Sequence, residues 1–322
     1  MDQYFKDIYC IVGYERSGTT MLRNILNNSS QLNVHLIEPH YILEMYKIFG
    51  LKVKDIPGAI NFLYNHKKYA QPGTDTHKAA KERLDLASLQ SLYHALNEIP
   101  LGEFFLKFYY RLYSGNLKDK LLLKHPDFAL HLNTLQKIFP GVKVINMVRD
   151  PRAAISSSVA RWPSKSFTYR CHQWNKSISL PKNWAAKNPA HYREVIYENL
   201  LSGFKETLGI ICQYMEVQVE DQMVNFHYRQ GQWSVNNEPK EKEFKGVDKT
   251  KISAWKKSLS ERQVTLIEKG CKKWMLEYHY PFSENNSGFK SYFFILNDQM
   301  KYAWEFSKIK ARQEIIDRVR MY

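Results

Sequence analysis

A glycine-bracketed loop between an apolar run and a helical pattern restricts the possible folds of this chain more than any other feature. Residues 8–12 are apolar, residues 13–20 read GYERSGTT, and residues 21–26 continue with helical periodicity. Gly13 and Gly18 stand at the spacing G-x-x-x-x-G, which lets the backbone turn tightly and point successive N–H groups at an anion on a helix N-terminus. The sequence therefore predicts a strand, a phosphate-binding loop and a helix, in that order.

The residue after the second glycine bears on which phosphate the loop holds. A nucleotide-binding P-loop continues with lysine and then serine or threonine, and the lysine reaches the outer phosphates. Here the residue is Thr19, and Arg16 inside the loop supplies the positive charge instead. We therefore expect the loop to hold a phosphate but to be poorly equipped for the γ-phosphate of ATP or GTP. A P-loop kinase, which would also need a metal-binding carboxylate, is the weaker alternative.

A second motif follows the strand predicted at residues 142–148. That strand ends at Arg149, and Asp150 and Pro151 then provide a favourable helix cap and first helical position. Arg149 should therefore point into the crevice at the strand end, and Ser157, about two turns later, could share a face with it. Because an arginine and a hydroxyl aimed at one spot make a phosphate clamp, the motif predicts a second phosphate site.

Strands alternate with helices along the chain, which predicts an α/β fold with a parallel sheet covered by helices on both faces. Further strands are predicted at about 33–37, 121–124 and 193–197, and helices at about 41–49, 77–97, 103–113, 128–139 and from 151. Residues 51–76 read as loop-rich because proline and glycine recur there. We expect residues 1–285 to form one domain, with a helical insertion at about 51–115, and residues 286–322 to form a basic helical extension.

Composition and net charge limit the expected classes of binding partner and the expected cellular compartment. The formal net charge of +15 implies anionic partners, but the basic residues are spread along the chain without a helix-turn-helix or zinc-finger pattern, so nucleic acid is not expected. The four cysteines form no C-x-x-C pair and read as reduced core thiols. No stretch approaches the ~20 apolar residues that span a bilayer, and the first strand begins too early to leave room for a signal peptide. The sequence therefore predicts a cytoplasmic protein.

The two motifs together resemble those of the sulfotransferases that use 3′-phosphoadenosine 5′-phosphosulfate (PAPS). Residues 16–20, RSGTT, are similar to the 5′-phosphosulfate loop of that family, and residues 149–153, RDPRA, are similar to its 3′-phosphate motif. The likeness covers about residues 8–280, densely at the motifs and thinly between them. It is to the broad group that includes tyrosylprotein sulfotransferases and bacterial homologues. The resemblance implies a P-loop-type parallel sheet whose helical insertions form the cleft for the acceptor.

The resemblance also implies which residues would hold the donor, and that no metal is required. The 5′-phosphosulfate would be cradled by five loop residues: Arg16, Ser17, Gly18, Thr19 and Thr20. The 3′-phosphate would be held by Arg149 and Ser157, with Arg161 nearby. Tyr197 would lie against the nucleotide, and Lys245 would come from a loop that closes over it.

For catalysis, the resemblance implies a lysine and a general base. Lys124, at the end of a predicted strand, matches the family lysine that neutralises charge on the bridging oxygen of the leaving phosphate, and Arg16 would assist it. The acceptor hydroxyl must lose its proton, and Glu38 matches the family carboxylate after the P-loop helix. Three histidines near these residues in the sequence compete for the role of base: His35, His40 and His125.

The identity of the acceptor is left open by the sequence. A carbohydrate, a lipid, a peptide tyrosine or a small metabolite would each suit an O-sulfating enzyme, and N-sulfation is the less favoured form. A non-catalytic nucleotide-binding module is a further class of function, but such a module would not need Arg16, Lys124, Arg149 and Ser157 together with a candidate base. The sequence therefore predicts an active PAPS-dependent sulfotransferase, without specifying its acceptor or its oligomeric state.

Overall fold

A five-stranded parallel sheet lies at the centre of the structure, a computed structural model that describes residues 5–66, 86–94, 96–112, 118–225, 227–229, 243–245, 247–283, 296–305 and 307–308. The strands of the described chain are β1 Asp7–Gly13, β2 Leu32–Val34, β3 Lys52–Val53, β4 Ile99–Pro100, β5 Lys120–Lys124, β6 Lys143–Val148, β7 Tyr192–Ile196, β8 His227–Arg229 and β9 Glu243–Lys245. The sheet has the order β2-β5-β1-β6-β7, and its pairings are all parallel. The other strands form two antiparallel pairs, β3 with β4 and β8 with β9.

Helices cover both faces of this sheet. They are α1 Thr19–Leu26, α2 Tyr41–Phe49, α3 Ile56–Asn65, α4 Leu86–Leu92, α5 Leu101–Leu112, α6 Leu132–Ile138, α7 Pro151–Arg161, α8 Phe167–Ala185, α9 Tyr197–Ser202, α10 Phe204–Met215, α11 Asp221–Val224 and α12 Glu261–Glu277. Short 3-10 helices lie at Pro126–Leu130, Pro189–His191, Lys249–Ile252 and Ala254–Lys257, and residues 296–305 are helical. Among the described helices, none is long and apolar enough to cross a bilayer. The predicted α/β class with a parallel sheet is confirmed.

β1 is the central strand because its side chains are buried on both faces of the sheet. Successive side chains of a strand point to opposite faces. Cys10 and Val12 pack in the hydrophobic cluster that α2, α3 and α5 cover, whereas Tyr9 and Ile11 pack in the cluster that α1, α9 and α10 cover. All four side chains are fully buried. A strand buried on both faces is typical of a parallel sheet between two layers of helices. Because the strands are parallel, their carboxyl ends lie at one edge of the sheet.

The loop-rich interpretation of residues 51–76 is wrong for residues 56–65, which form α3. The Asp55 carboxylate accepts a hydrogen bond from Gly58 N at 2.9 Å and so caps this helix. Pro57 lies in the first turn, where its missing N–H leaves no helical hydrogen bond unmade and its fixed φ suits the helix. Proline and glycine here mark a helix start rather than a loop. Residues 67–85 lie outside the described chain.

Several other predicted elements differ in their bounds. The helix predicted at 128–139 is divided into a 3-10 helix and α6, because His131 between them has a non-helical φ of −134°. The extended segment predicted at 33–37 is the shorter edge strand β2. Tyr197 begins α9 instead of ending β7. Within the helix predicted at 77–97, residues 86–92 form α4, but the prediction is wrong for residues 93–94 and 96–97, which are not helical.

The helical residues 296–305 pack against the start of α8. The Asp298 carboxylate accepts hydrogen bonds from the N–H groups of Phe167 and Thr168 at 2.9 and 2.7 Å. The Glu305 carboxylate accepts a hydrogen bond from Ser166 N at 3.2 Å. These carboxylates satisfy first-turn amides that have no partner within the helix. The division of the chain near residue 285 stays a prediction.

Candidate active site

The candidate residues lie at the edge of the sheet where the parallel strands end. Gly13 ends β1, Lys124 ends β5, Arg149 directly follows β6 and Tyr197 directly follows β7. Glu38 lies a few residues after β2. Because the carboxyl ends of parallel strands open on one edge, each strand brings a candidate residue to the same crevice.

The loop between β1 and α1 requires glycine at both of its ends. Gly13 has a φ of 146°, and a Cβ atom there would lie 2.4 Å from the carbonyl oxygen of Met147. Gly18 has a φ of 90°, and a Cβ atom there would lie 2.4 Å from the ring of Tyr197. Any other residue would therefore be strained in its backbone and would lack room for its side chain. Arg16, between the glycines, also has a positive φ of 65°.

The N-terminus of α1 opens into this loop. Gly18 holds the cap position and offers no side chain to the first-turn amides, so the helix presents free N–H groups and the positive end of its dipole. Ser17 is fully buried just before it, and its Oγ makes no hydrogen bond with any described residue. A buried hydroxyl beside an uncapped helix N-terminus suits an anion, because anion oxygens accept hydrogen bonds from both.

The two sequence motifs meet at Arg149 and Ser157. Arg16 Nε donates to Ser157 Oγ at 3.0 Å, although 141 positions separate the two residues. Arg149 donates to the carbonyl oxygens of Arg16 and Lys251, at 2.8 Å each. Its guanidinium carbon lies 4.2 Å from the centre of the Tyr197 ring, and its Nε makes no hydrogen bond with any described residue. The fold thus brings the loop arginine, the strand-end arginine and the helix serine together.

Lys124 lies on the other side of the loop, between α1 and Glu38. Its Nζ donates to Thr20 Oγ1 at 3.0 Å and forms an ion pair with Glu38 Oε1. The Lys124 side chain is 2% exposed, whereas that of Glu38 is 33% exposed. The buried cation can stabilise an anionic leaving group, and the partly open carboxylate beside it can accept a proton.

His40 and His125 lie next to this ion pair. His40 Nε2 lies 3.4 Å from Glu38 Oε2. His125 Nε2 lies 3.1 Å from His40 Nε2 and also contacts His40 Nδ1. The His125 ring stacks on Phe128 with 4.7 Å between the ring centres. Glu38 and two of the competing histidines therefore form one cluster.

Burial and charge act in opposite directions on the proton affinities of this cluster. Burial lowers the pKa of Lys124 to about 8, although the charge of Glu38 opposes the shift. Burial alone would raise the pKa of Glu38, but the hydrogen bond from His40 and the charge of Lys124 outweigh it and hold that pKa well below its usual range. Glu38 is therefore ionised, but its proton affinity is low while Lys124 contacts it.

Three of the predicted residues lie outside this constellation or beyond what is described. Arg161 ends α7, one turn after Ser157, and its side chain makes no hydrogen bond or ion pair with the described part of the chain. His35 Nε2 lies 2.8 Å from the Tyr41 hydroxyl in the core, where burial lowers the pKa of His35 to about 3. The backbone of Lys245 ends β9, but its side chain lies outside the described structure.

Sequence reasoning missed a buttress behind the loop, formed by Glu15, Ser158 and Arg170. Arg170 Nη1 donates to Ser158 Oγ and lies 3.6 Å from Glu15 Oε1, and Ser158 Oγ donates to Glu15. Glu15 precedes Arg16 and Ser158 follows Ser157, so the buttress holds both partners of the contact between the motifs. The available signal was an acidic side chain inside a loop predicted to bind an anion, because a partly buried carboxylate there calls for a cationic partner.

Comparisons with known proteins extend these observations. The model of the sulfotransferase family matches residues 9–221. A Caenorhabditis briggsae protein provisionally named a protein-tyrosine sulfotransferase is 31% identical over 119 residues, which cover 35% of this chain and 42% of the relative. A Caenorhabditis elegans protein with the same provisional name is 26% identical over 116 residues, which cover 34% of this chain and 45% of the relative. The chain thus spans less than half the length of these curated relatives.

Two solved structures share the fold. The sulfotransferase domain of the Synechococcus PCC 7002 olefin synthase superposes with a TM-score of 0.60 at 17% identity, covering 88% of this chain and 98% of that domain. The sulfotransferase domain from the curacin biosynthetic pathway superposes with a TM-score of 0.58 at 16% identity, covering 87% of this chain and 100% of that domain. At such identities the likeness concerns the fold alone.

Proposed function

This chain belongs to the sulfotransferase family, and on that premise we propose that it transfers the sulfuryl group of PAPS to an acceptor hydroxyl. The observation that carries the proposal is the contact between the two motifs. Arg16 Nε lies 3.0 Å from Ser157 Oγ across 141 sequence positions. Because the 5′-phosphosulfate and the 3′-phosphate belong to one small molecule, the groups that hold them must be neighbours, as they are here.

The polar groups of the loop suit a nucleotide with two phosphate positions. Ser17 Oγ and Arg149 Nε are buried and make no hydrogen bond with the described residues, so both would donate to anion oxygens. The Nη1 and Nη2 atoms of Arg149 donate to backbone carbonyls, so its Nε is the group that would turn to a phosphate, and Tyr197 covers one face of its guanidinium. Thr19 leaves the loop without the lysine that reaches a γ-phosphate, which supports a 3′-phosphorylated nucleotide over ATP.

The proposed chemistry needs a cation at the leaving oxygen and a base at the acceptor. When bound, the donor supplies a sulfuryl group whose bond to the bridging phosphate oxygen breaks as a bond to the acceptor oxygen forms. Lys124, held at the start of α1 by Thr20, would neutralise the charge on that bridging oxygen, and Arg16 would add a second cation. Glu38 would accept the proton that the acceptor oxygen loses.

For Glu38 to act as a base, its ion pair with Lys124 must open. Burial would raise the pKa of Glu38, but while the contact persists the hydrogen bond from His40 and the charge of Lys124 hold that pKa low. Movement of Lys124 towards the leaving oxygen would remove its charge from Glu38 and raise the pKa of the carboxylate. Donor binding and base activation would then be coupled through this one lysine.

A peptide tyrosine is the acceptor to test first. Both curated relatives carry the provisional name protein-tyrosine sulfotransferase. The formal net charge of +15 would attract a tyrosine flanked by acidic residues. A phenol, with an ordinary pKa of about 10, also gives up its proton more readily than an aliphatic hydroxyl.

Calorimetry with 3′-phosphoadenosine 5′-phosphate (PAP), adenosine 5′-phosphate and ATP tests the donor assignment. A charge-assisted phosphate contact is worth about 1.5–3 kcal/mol, so PAP should bind about 10- to 150-fold more tightly than adenosine 5′-phosphate. Arg149→Ala should erase most of this difference, whereas Arg262→Ala, at an exposed arginine of α12, should leave it unchanged. Equal affinity for PAP and adenosine 5′-phosphate in the unmodified protein would contradict the assignment.

Transfer from sulfur-labelled PAPS tests the reaction and its acceptor. We expect label on acidic tyrosine peptides and none on matched peptides that carry phenylalanine instead. Label on a carbohydrate, a lipid or a small alcohol instead would retain the transfer reaction and replace the acceptor. Tight PAP binding without transfer to any of these acceptors would favour a non-catalytic module.

A further inference from the structure

Beside the proposed base, three side chains with metal-ligating atoms face one another: Glu38, His40 and His125. One ligand atom of each lies within 4.8 Å of the other two. His40 Nε2 lies 3.4 Å from Glu38 Oε2 and 3.1 Å from His125 Nε2. No other such group of histidine, cysteine and acidic residues occurs among the described residues.

We propose that Glu38, His40 and His125 bind a divalent transition-metal ion of the zinc class. In a tetrahedral site with bonds of about 2.0–2.2 Å, neighbouring ligand atoms are about 3.3–3.6 Å apart. The separations of 3.4 and 3.1 Å around His40 Nε2 are close to this spacing, and the His40 ring must turn so that Nε2, rather than the Nδ1 that also contacts His125 Nε2, faces the ion. Two imidazoles and one carboxylate form a ligand set that zinc accepts, with a fourth position left for water.

One side chain of this site is buried and held in place, and the other two are accessible from solvent. His125 is 2% exposed, and its ring is held by stacking on Phe128. Its backbone N–H donates to the carbonyl oxygen of Ile11 at 3.0 Å, which ties it to the end of β1. His40 and Glu38 remain 29% and 33% exposed, so an ion can reach them from solvent.

The surrounding charges also accommodate a cation. Lys124 pairs with Glu38 Oε1, which leaves Oε2, the oxygen that faces His40. Asp127 is close enough to interact electrostatically with both His40 and Glu38, so a second carboxylate opposes the lysine charge. Two imidazole nitrogens that face each other need a proton or a metal ion between them, and an ion would satisfy both.

Metal binding would inhibit the proposed transfer, because the ion would occupy the carboxylate that must accept the proton of the acceptor. This consequence rests on the proposed function, whereas metal binding itself does not. Ser17, Arg149 and Ser157 are not among the ligands, so PAP should bind equally well with and without the ion.

Calorimetry with ZnCl2 on the tag-free chain, after treatment with EDTA and dialysis, tests the metal site. We expect one zinc per chain, no uptake of Mg²⁺, which prefers oxygen ligands, and with Co²⁺ the visible absorption of a tetrahedral complex. His40→Ala and Glu38→Gln, at partly exposed positions, should each weaken zinc binding by about tenfold or more. His94→Ala, at an exposed histidine outside the cluster, is the matched control and should not weaken it.

Thermal melting establishes that each variant is folded before its affinity is read. Absence of zinc binding, or equal affinities for the unmodified protein and folded His40→Ala, would overturn the metal site.

Initial rates of transfer with and without zinc separate this proposal from the proposed function. We expect zinc to abolish transfer at concentrations near the Kd measured by calorimetry, and we expect EDTA to restore the rate. The affinity for PAP should change by less than about twofold. Zinc bound at the cluster without loss of rate would keep the metal site and contradict Glu38 as the base. Full transfer activity in a protein that binds no zinc would keep the proposed function and overturn the metal site.

Discussion

Lys124 is the residue that connects the proposed phosphate loop to the proposed base. Its Nζ contacts both Thr20 and Glu38, while only 2% of the side chain is exposed. Burying an ammonium is costly, and burial accordingly lowers the pKa of Lys124 to about 8. Strongly shifted groups in a crevice are typical of functional sites, so this placement supports a chemical role for Lys124.

Replacement of Lys124 or Glu38 should affect turnover more than donor binding. Lys124→Ala and Glu38→Gln should each lower kcat by about a hundredfold or more, with PAP affinity little changed, because both groups would act mainly in the transition state. Steady-state kinetics and PAP calorimetry measure the two effects. Lys120→Ala is the matched control: Lys120 lies at the other end of β5, 3.0 Å from Asp7, and should affect stability but not kcat. Near-normal turnover in Glu38→Gln, with collapse in His40→Ala or His125→Ala, would transfer the role of base to that histidine.

Gly18→Ala should disrupt the proposed phosphate loop through contact with Tyr197. The new Cβ would lie 2.4 Å from the Tyr197 ring and the residue would keep a φ of 90°, so we expect both a lower Tm and a loss of PAP binding. Gly50→Ala separates the backbone strain of a positive φ from the steric clash, because Gly50 also has a positive φ of 73° but has open space where Cβ would lie. Differential scanning fluorimetry with and without PAP compares them. Equal losses of Tm and unchanged PAP binding in both variants would contradict the steric explanation.

At the scale of elements, α8 depends on a distant segment for the hydrogen bonds of its first turn. Asp298 and Glu305 accept from the backbone amides at its start, and Ser166 accepts from Tyr169 N within the same turn. α8 also carries Arg170, which holds the loop from behind through Ser158. The helical residues 296–305 therefore stabilise a helix that supports the site without contributing a proposed catalytic group.

Asp298→Ala should lower the free energy of unfolding by about 1–2 kcal/mol, because two first-turn amides lose their partner. Urea unfolding followed by circular dichroism measures the change. Gln299→Ala, at the exposed neighbouring position, is the control and should be close to neutral. PAP affinity should be the same in both variants. Coincident unfolding curves for the two variants would show that the cap contributes nothing.

At the scale of the whole molecule, a buried neutral histidine links stability to pH. His35 packs between Tyr41 and Tyr109, and burial, with a smaller contribution from the charge of Arg23, lowers its pKa from 6.5 to about 3. The unfolded chain therefore binds a proton at this position at a pH where the folded protein does not. The stability contributed by neutral His35 is complete above about pH 6.5 and decreases as the pH falls towards 3.

His35→Gln should flatten this dependence while retaining a hydrogen-bonding side chain beside Tyr41. We expect the unfolding free energy of the unmodified protein to fall more steeply between pH 6.5 and pH 4 than that of the variant. Urea unfolding at a series of pH values measures both slopes. His94→Gln, at an exposed histidine, should retain the slope of the unmodified protein. Parallel slopes for His35→Gln and the unmodified protein would contradict the assignment to His35.

Local sequence is sufficient for the features whose causes lie within a few residues. The continuous apolar run of β1, the glycines around the loop and the cap of α7, where Asp150 accepts from Arg152 N at 2.9 Å, could all be predicted from neighbouring residues. The bounds of α2 were predicted for the same reason. Prediction failed at residues 56–65 because proline and glycine have the same local signature in a loop and in the first turn of a helix.

The contacts that build the site depend on the packed sheet. Glu38 and Lys124 are 86 positions apart, and His40 and His125 are 85 apart, yet each pair is in contact. The apolar composition of a strand shows that both of its faces are buried, but it does not show which strands pair with its two edges. The sequence predicted that the candidate residues lie at the carboxyl ends of the strands, but the order β2-β5-β1-β6-β7 decides which of them are in contact. The buttress of Glu15, Ser158 and Arg170 was missed because its members meet only once β1, α7 and α8 are packed.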